Sequence, residues 1–237
     1  MLSVFRFRLI PFIATLLLMA IGITAGQWQT RRAAEKTAIA VKLAQRTAAP
    51  VIAIGARPPE IADVEYRSVS VKGEFLPDWP IYLDNRPYQG VAGLYVLMPF
   101  RIDGSRMHVL IARGWVPRNP ADRKKLPVIP TPTGMITVQG MARRNPGKLL
   151  QLGQQDALRP GAIVQNLELA SFAQASGLQL QPFLLEQTSE LPDGLKRDWP
   201  LPSIGIDRHR GYAFQWFALT AVAFIFFVVT GFRRGTK

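Results

Sequence analysis

The sequence predicts an α+β membrane protein in which two transmembrane helices flank a mostly antiparallel β domain, built as a sheet or small barrel with one helix. Three observations predict this class: an uncharged apolar stretch near each end, short runs of alternating apolar residues between them, and turn residues that separate those runs. A segment that crosses a bilayer must satisfy its own backbone hydrogen bonds, so each apolar stretch is predicted to be a helix. Alternation with a period of two is typical of strands.

The composition narrows the possible partners. The chain has 237 residues, a formal net charge of +13 and no cysteine. Without cysteine it can form neither a disulfide nor a thiolate zinc site. A positive charge of this size attracts either nucleic acid or anionic lipid. The two apolar stretches favour the lipid bilayer, and no basic run is interleaved with stacking aromatic residues, so no nucleic acid partner is predicted.

The first transmembrane helix is predicted over residues 9–27, after a tail of residues 1–8. Residues 9–26 are apolar apart from Thr15 and Thr24. At about 1.5 Å per residue they cover about 27 Å, which is enough for a bilayer core. The alternative is a cleaved signal peptide, whose apolar region runs about 7–15 residues. The greater length and the poor small-x-small cleavage site favour an uncleaved anchor.

Residues 28–49 are predicted to form a helical stalk that continues the first helix. Residues 31–49 are rich in alanine and other strong helix formers and contain no glycine or proline. Pro50 marks the end of this segment. Because its apolar face is weak, the pattern is compatible both with a stalk and with a helix on the membrane surface.

The second transmembrane helix is predicted over residues 207–232. Residues 212–232 contain no charge. Aromatic residues stand at both ends of this stretch, as in the aromatic belts of membrane proteins. A basic tail, residues 233–237, follows it.

Charge predicts that both tails lie in the cytoplasm and that the domain of residues 50–206 lies outside it. The tails contain no acidic residue, and basic flanks favour the cytoplasmic side. The basic tail residues are Arg6, Arg8, Arg233, Arg234 and Lys237. Basic residues also stand beside the spans within the middle segment, but long loops cross a membrane largely regardless of charge. The chain is therefore predicted to be a multi-pass protein of the cell inner membrane.

The domain between the spans is predicted to consist mainly of short strands. The clearest signal is Asp103-Gly104 between two apolar runs, which predicts a β-hairpin of residues 93–100 and 107–116. Further strands are predicted at residues 69–75, 81–83, 135–141, 162–165 and 180–187. Strands at regular spacing with turns between them favour an antiparallel sheet or a small barrel.

Three other segments of the domain have distinct patterns. Residues 167–176 predict a helix that Gly177 ends. Pro182 interrupts the last strand and predicts that it lies at an edge of the sheet. Residues 117–132 contain five prolines and are predicted to form an exposed loop.

The side chains offer little for catalysis, and the chain is predicted not to be an enzyme. There are two histidines and no nucleophile elbow, glycine-rich phosphate loop or His-Glu-x-x-His pattern. His108 has no second metal ligand nearby in the sequence and is interpreted as a surface or half-buried sheet residue. Asp193 and Asp198 lie in a proline-rich connector and are interpreted as solvated charges.

A set of arginines, glycines and aromatic residues stands out in the first half of the domain. The motif residues are Asn85, Arg86, Gly93, Arg113, Gly114, Trp115 and Pro117. Structural roles account for them: glycines end strands or form bulges, and Trp115 fills a core. On this interpretation the arginines cap the rim of the sheet.

At these residues the sequence resembles the Surfeit locus protein 1 family. Residues 73–75 look like its Gly-x-Phe strand, and residues 83–99 look like its Asn-Arg…Gly…Pro segment. Residues 109–117 look like its Val-Leu-Val-Asn-Arg-Gly-Trp-Val-Pro pattern, with Ala112 in place of the usual asparagine. Residues 209–217 look like its His-x-x-Tyr-Ala-x-x-Trp-Phe entry to the second span. The four motifs follow the order of the family, between two spans.

The resemblance implies a function that composition and spacing do not show. Members of this family are assembly factors, or chaperones, for cytochrome c oxidase, complex IV of the respiratory chain, with the central domain in the periplasm or intermembrane space. Some bacterial members are thought to bind haem a and to present it to subunit I of a haem-copper oxidase. The expected partners are oxidase subunit I, other assembly factors and haem a synthase. The alternative is a membrane-tethered periplasmic protein-interaction module with no haem role.

If haem a is bound, the resemblance favours His209 as its axial ligand. On a helix, His209, Tyr212, Ala213 and Trp216 lie on one face. A small residue between two aromatic ones would leave a slot for a flat macrocycle, and a neutral imidazole is a common ligand of haem iron. The alternative is that histidine, tyrosine and tryptophan stand here because amphipathic side chains favour the membrane interface.

Three polar residues near His209 complete this hypothesis. Arg208 and Arg210 would pair with the haem propionates, since arginine suits carboxylates. Gln215 lies inside the span and is expected to face protein or ligand rather than lipid. No metal is predicted apart from the haem iron at His209.

Overall fold

The computed structural model describes residues 7–123, 125–150, 157–200 and 205–232. The chain divides into two compact units, one of Met1–Lys42 with Pro202–Lys237 and the other of Leu43–Leu201. The tail residues Arg6, Arg233, Arg234 and Lys237 lie outside the described residues, so the orientation that they predict stays a prediction.

The described residues form four helices and eight strands. In chain order these are α1 (Leu9–Ala48), β1 (Ile52–Ile54), α2 (Ile61–Val64), β2 (Ser68–Phe75), β3 (Ile81–Leu83), β4 (Gly93–Ile102), β5 (Met107–Pro117), β6 (Ile136–Arg143), β7 (Ile163–Val164), α3 (Leu169–Ser176), β8 (Gln179–Gln187) and α4 (Ile206–Gly231). The predicted first span and stalk are therefore one continuous helix, because no glycine or proline interrupts the chain between them.

The first unit consists of α4 and the greater part of α1. Both helices are long and apolar enough to cross a membrane. Only 11% of the most apolar 18-residue stretch of α1 is buried, and only 6% of that of α4. The core helix of a soluble protein would be mostly buried, whereas a helix pair in a bilayer exposes apolar side chains to lipid. This pattern confirms the predicted pair of membrane helices.

Small residues bring α1 and α4 into close contact. A Cβ built at Gly22 would overlap the hydroxyl of Thr220, and one built at Gly26 would lie 2.6 Å from the ring of Phe217. The two glycines are four residues apart on one face of α1, which is the spacing that lets membrane helices approach closely.

The two helices run antiparallel. Phe12 near the start of α1 stacks with Phe227 near the end of α4, with ring centroids 5.8 Å apart. Gln29, further along α1, contacts His209 in the first turn of α4. If both helices cross a bilayer, the start of α1 and the end of α4 therefore lie on the same side of it.

The strands of the second unit close into a small barrel. The sheet order is β1-β2-β6-β8-β5-β4-β3-β7, and an additional pairing of β2 with β4 closes the five strands β2, β6, β8, β5 and β4 into a ring. β4 divides one edge between two partners, since its Tyr95 pairs with β3 and its Phe100 pairs with β2. A Cβ at Gly73 would overlap the carbonyl of Arg101, so glycine lets β2 close onto β4.

The pairing is mostly antiparallel, as the sequence predicts. Of the eight strand pairs, β1–β2, β3–β7 and β5–β8 are parallel and the other five are antiparallel. Two apolar clusters lie on opposite faces of β5. One contains residues from all five barrel strands and fills the interior, with Ile111 from β5, and the other contains Leu110 and Phe172 of α3.

The predicted edge position of residues 180–187 is wrong. Strand β8 is a central strand of the barrel wall, hydrogen-bonded between β5 and β6. The β5–β8 register skips from His108 opposite Leu180 to Leu110 opposite Leu184, and β6 pairs with β8 only from Leu184 onwards. Pro182 falls within this irregularity, so its missing N–H interrupts no ladder hydrogen bond.

The remaining elements agree in part with the sequence. The Asp103-Gly104 hairpin is confirmed as β4–β5, and α3 ends at Gly177, which has a φ of 70°. The sequence did not predict β1 or the four-residue helix α2. The predicted exposed loop of residues 117–132 is not fully exposed, because Leu126 and Ile129 pack against the apolar cluster around Leu195.

Candidate functional site

Arg113 of β5 is fully buried. Its Nη2 donates to the carboxylate of Asp193 at 2.9 Å and to the carbonyl of Pro130 at 2.8 Å, and Nη1 donates to the hydroxyl of Thr131 at 2.7 Å. The guanidinium also lies 4.7 Å from the centroid of the Phe75 ring. Burial lowers the pKa of Arg113, and the charge of Asp193 opposes that shift. The interpretation of this arginine as a rim cap is wrong, since its charge is paired inside the domain.

Asp193 connects two buried arginines. Its carboxylate also accepts a hydrogen bond from Nη2 of Arg197 at 2.6 Å. The Asp193 and Arg197 side chains are only 1% and 5% exposed. The interpretation of Asp193 as a solvated loop charge is therefore wrong, because two buried cations require its negative charge. Asp198 is exposed, as the sequence predicted.

Gly114 lets the chain segment around Lys196 lie against β5. Trp115 and Lys196 exchange two backbone hydrogen bonds, of 2.7 and 2.9 Å. A Cβ at Gly114 would lie 2.7 Å from Cβ of Leu195 and 2.8 Å from the carbonyl oxygen of Lys196. Only glycine fits this approach without a shift of backbone, which explains why it stands between Arg113 and Trp115.

Trp115 joins two further motif residues. Its Nε1 donates to the carbonyl of Arg86 at 2.7 Å. A Cβ at Gly93, which pairs with Pro117 two positions further along β5, would overlap the indole ring. Tyr88 packs against the same ring at a centroid distance of 5.2 Å. The glycine therefore makes room for the tryptophan, and the tryptophan fills a core as predicted.

Arg86 is also committed to internal contacts. Its Nη2 donates to the carbonyls of Gly147 at 3.1 Å and Gln165 at 3.2 Å. Asn85 and Pro117 are exposed at the start of a turn and at the end of β5. The structure thus brings Arg86, Gly93 and Trp115 into one network and places Arg113 and Gly114 against residues 193–197. Both arrangements hold the domain together.

His108 is buried rather than half-exposed, which corrects the sequence-based interpretation. Its Nδ1 lies 3.2 Å from the carbonyl oxygen of Gln179 on β8. Burial lowers the pKa of His108 below its usual value, so the ring is neutral at pH 7. Among the described residues no group of three or more His, Asp or Glu side chains could hold a metal ion.

A buried carboxyl on β8 escaped the sequence analysis. Glu186 is 8% exposed, and its Oε1 lies 3.8 Å from Nε of Arg143. Burial raises the pKa of Glu186, and Arg143 opposes that shift. The available signal was a charged residue that directly follows the apolar run Phe183-Leu184-Leu185 in a predicted strand.

His209 lies in the first turn of α4, within the first unit. Its Nδ1 is 2.7 Å from Oε1 of Gln29 on α1, and the residue is half-buried. This is the one hydrogen bond that the ring makes to the described residues. The two partners are 180 positions apart in the chain, so no local sequence pattern indicates the pair.

The face of α4 that contains His209 also faces α1. Ala213 is buried, and the carbonyl oxygen of Trp216 lies 3.3 Å from a Cβ built at Gly22. The small residue that was expected to leave a slot is therefore enclosed between two contacts with α1. Tyr212 is 46% exposed. Ala213, in contrast, offers no open surface among the described residues.

The polar residues around His209 are spread over α4. Arg208 and Arg210 are exposed, and consecutive positions on a helix turn by about 100°, so the two residues flank His209 on either side. Gln215 is exposed on the side away from α1. Within this chain α4 contacts α1 through the face of His209, Ala213 and Thr220, so the expectation that Gln215 faces protein or ligand rather than lipid stays a prediction.

Gln29 is the residue of this site that the sequence analysis missed. It is the third residue after the apolar stretch, following Gln27 and Trp28. It stands three positions after Gly26 and seven after Gly22, which places all three on one face of α1. A polar residue on the glycine-lined face of a membrane helix was the signal that could have identified it.

Comparison with known proteins gives consistent matches. The model of the SURF1 family matches residues 16–221. The SURF1-like protein of Rickettsia bellii is 26% identical over 88% of this chain and 86% of its own length. The SURF1-like protein of Rickettsia felis is 26% identical over 94% of this chain and 96% of its own length. The Surfeit locus protein 1 of Mus musculus is 30% identical over 54% of this chain and 46% of its own length.

Proposed function

Because this chain belongs to the SURF1 family, we propose that it is a non-enzymatic assembly factor for a haem-copper cytochrome c oxidase. The observation that carries the proposal is the family match over residues 16–221, which includes parts of both membrane helices and the entire barrel domain. The protein would act as a chaperone in the cell inner membrane, with oxidase subunit I, other assembly factors and haem a synthase as its partners.

The proposed cargo is haem a, held for insertion into subunit I. The environment of His209 fits such a ligand, because Gln29 contacts Nδ1 at 2.7 Å and leaves Nε2 without a partner among the described residues. A neutral imidazole nitrogen is a common axial ligand of haem iron. Bound haem a would supply no chemistry here beyond its own transfer, so the task of the protein is to bind, orient and release it.

Other residues near His209 fit the remaining parts of the macrocycle. Arg208 and Arg210 are exposed on either side of His209, where each guanidinium could pair with a propionate. Tyr212 and Trp216 follow on the same helix and offer aromatic surface at the membrane interface. The motif arginines Arg113 and Arg86 are unsuited to this task, since both side chains are buried and donate hydrogen bonds within the domain.

The proposed topology places both termini in the cytoplasm and the barrel domain in the periplasm. It is supported by the antiparallel contact of Phe12 with Phe227 and by the basic tails without acidic residues. On this topology His209 lies at the periplasmic membrane interface.

Deletion of the gene tests the assembly function. We expect the mutant membranes to contain less assembled oxidase, with lower haem a content and lower oxidase activity, and a plasmid copy of the gene to restore both. Wild-type haem a content and activity of every terminal oxidase in the mutant would refute the proposal.

The second candidate is a membrane-tethered periplasmic interaction module with no haem role. The internal commitment of the motif arginines favours it, because a rigid barrel is a suitable docking platform. The two candidates differ in the outcome of complementation with His209→Ala. If the protein is an interaction module, the His209→Ala variant should still restore the oxidase. If it is a haem carrier, the variant should be present at normal level and topology, should lack haem a in its absorption spectrum and should not restore the oxidase.

A further inference from the structure

We propose that Gln29 is a positioning residue, which fixes the protonation and the orientation of the His209 ring so that Nε2 is available to iron. The inference rests on the proposed haem-binding function of His209. It concerns the Nδ1 side of the imidazole, where the side chain of Gln29 on α1 meets the first turn of α4.

The atoms of the contact determine where the proton lies. A neutral imidazole has one N–H donor and one acceptor nitrogen, and the oxygen of a glutamine amide can only accept. The Oε1 of Gln29 lies 2.7 Å from Nδ1 of His209, and this contact is a hydrogen bond only in the tautomer whose proton is on Nδ1. Nε2 then carries the lone pair, which is the form that binds a metal.

The helix contact keeps Gln29 within reach. Gly22 and Gly26 bring α1 so close to α4 that added side chains would overlap Thr220 and Phe217. Gln29 lies on the same face, and the buried Ala33 follows it four positions later. A hydrogen bond in this region is stronger than in bulk water because the surroundings have a low dielectric constant.

The pair resembles the arrangement found around metal-bound histidines in general. Such histidines donate their second N–H to a carbonyl, carboxylate or water, which orients the ring and makes the ligating nitrogen more basic. Loss of an outer partner of this kind typically weakens metal binding about 10–100-fold. Gln29 supplies that partner from a different helix.

The first experiment measures the ring itself, without haem. The full-length protein, labelled with ¹⁵N-histidine and reconstituted in lipid nanodiscs, contains only two imidazoles, those of His108 and His209. His209→Ala identifies the signals. We expect a protonated Nδ1 and an unprotonated Nε2 for His209 in the wild type. Gln29→Leu should abolish this preference, and Gln29→Glu should restore it, because a carboxylate also accepts from Nδ1.

The second experiment adds haem a to the same variants. We expect Gln29→Leu to bind haem a about 10–100-fold more weakly than the wild type and with an altered absorption spectrum. Gln29→Glu should bind it and give a lower iron midpoint potential, since a charged acceptor makes the imidazole a stronger donor. Gln27→Leu is the matched control, because Gln27 is an exposed glutamine two positions away, and it should behave as the wild type.

The outcomes separate the two proposals. A proton on Nε2 in the wild type, or an unchanged ring in Gln29→Leu, overturns the positioning role. Equal haem a affinity and identical spectra for wild type and Gln29→Leu also overturn it, while the haem-binding function stands. A wild type that binds no haem a overturns the proposed cargo and the role of Gln29 in holding it, even where the ring signals show Nδ1 protonated.

Discussion

At the scale of single residues, the carboxylate of Asp193 has the most demanding environment. It accepts hydrogen bonds from Arg113 and Arg197, and all three side chains are at most 5% exposed. Two buried guanidinium groups share this carboxylate. Without its charge, Arg113 would have no carboxylate partner in a low-dielectric interior, and Arg197 would keep only the exposed Glu190 at 3.8 Å.

Asp193→Asn should therefore destabilise the domain strongly. The substitution keeps the shape of the side chain and removes its charge, and breaking a buried ion pair costs about 3–5 kcal/mol. Thermal unfolding of the reconstituted protein, followed by tryptophan fluorescence, measures the change. Asp198→Asn is the control, since Asp198 is exposed. Equal melting temperatures for the two variants would contradict the buried network.

Glu186 makes stability depend on pH in the opposite sense to a paired surface carboxylate. Burial raises its folded-state pKa, so its favourable contribution is complete below the unfolded pKa and is lost as pH rises through the folded pKa. Glu186→Gln should thus unfold at a higher temperature than the wild type at pH 8. The difference should vanish as pH falls towards about 4.3.

A melting series across that pH range measures the effect of Glu186→Gln. Glu60→Gln is a suitable control, because Glu60 is exposed and its side chain makes no ion pair with the described residues, so this variant should melt as the wild type does across the series. A difference from wild type that stays constant between pH 4 and pH 8 would show that Glu186 does not titrate differently on folding.

At the scale of elements, the antiparallel contact of α1 and α4 can be tested by cross-linking, since the chain has no cysteine of its own. Phe12→Cys combined with Phe227→Cys should be joined by a short bis-methanethiosulfonate cross-linker, because the two side chains are in contact, with ring centroids 5.8 Å apart. Phe12→Cys with Phe226→Cys should not, because Phe226 is 69% exposed. Electrophoresis without reductant reads the result, and efficient cross-linking of the second pair would exclude this helix packing.

The individual helices, strands and turns show which features local sequence patterns can predict. The Asp103-Gly104 hairpin, the Gly177 helix end and both apolar spans depend on neighbouring residues, and the sequence predicted them. The edge assignment of Pro182 failed, because a proline in a bulge is compatible with a central strand. Closure of β2 onto β4 depends on Gly73 and a partner across an intervening strand, which no short pattern encodes.

At the scale of the whole molecule, the residues of the candidate site and of the buried ion-pair network were harder to predict than the scaffold. Arg113 and Asp193 are 80 positions apart, and Gln29 and His209 are 180 apart. Each pair forms only after distant segments meet, so the residue types alone suggested solvated charges and a solitary histidine. The resemblance to known motifs identified His209 but could not show its partner, since Gln29 lies outside those motifs.

The predicted topology also belongs to this scale. In intact spheroplasts, a membrane-impermeant maleimide should label Ser105→Cys in the β4–β5 turn and should leave Thr236→Cys, which lies outside the described residues, unlabelled until the membrane is permeabilised. The reason is that acid-free basic tails stay in the cytoplasm. The unmodified chain, which has no cysteine, provides the background. Labelling of Thr236→Cys alone in intact spheroplasts would reverse the assignment.

The position of β8 has a consequence for the order in which the domain can be made. β8 is the last strand along the chain, yet it lies between β5 and β6 and is hydrogen-bonded to both. Until residues 179–187 have been synthesised, β5 and β6 each have an open edge, and unpaired edges promote association with other chains. The domain therefore cannot fold strand by strand from its N-terminal end, and nearly all of it must be synthesised before the ring can close.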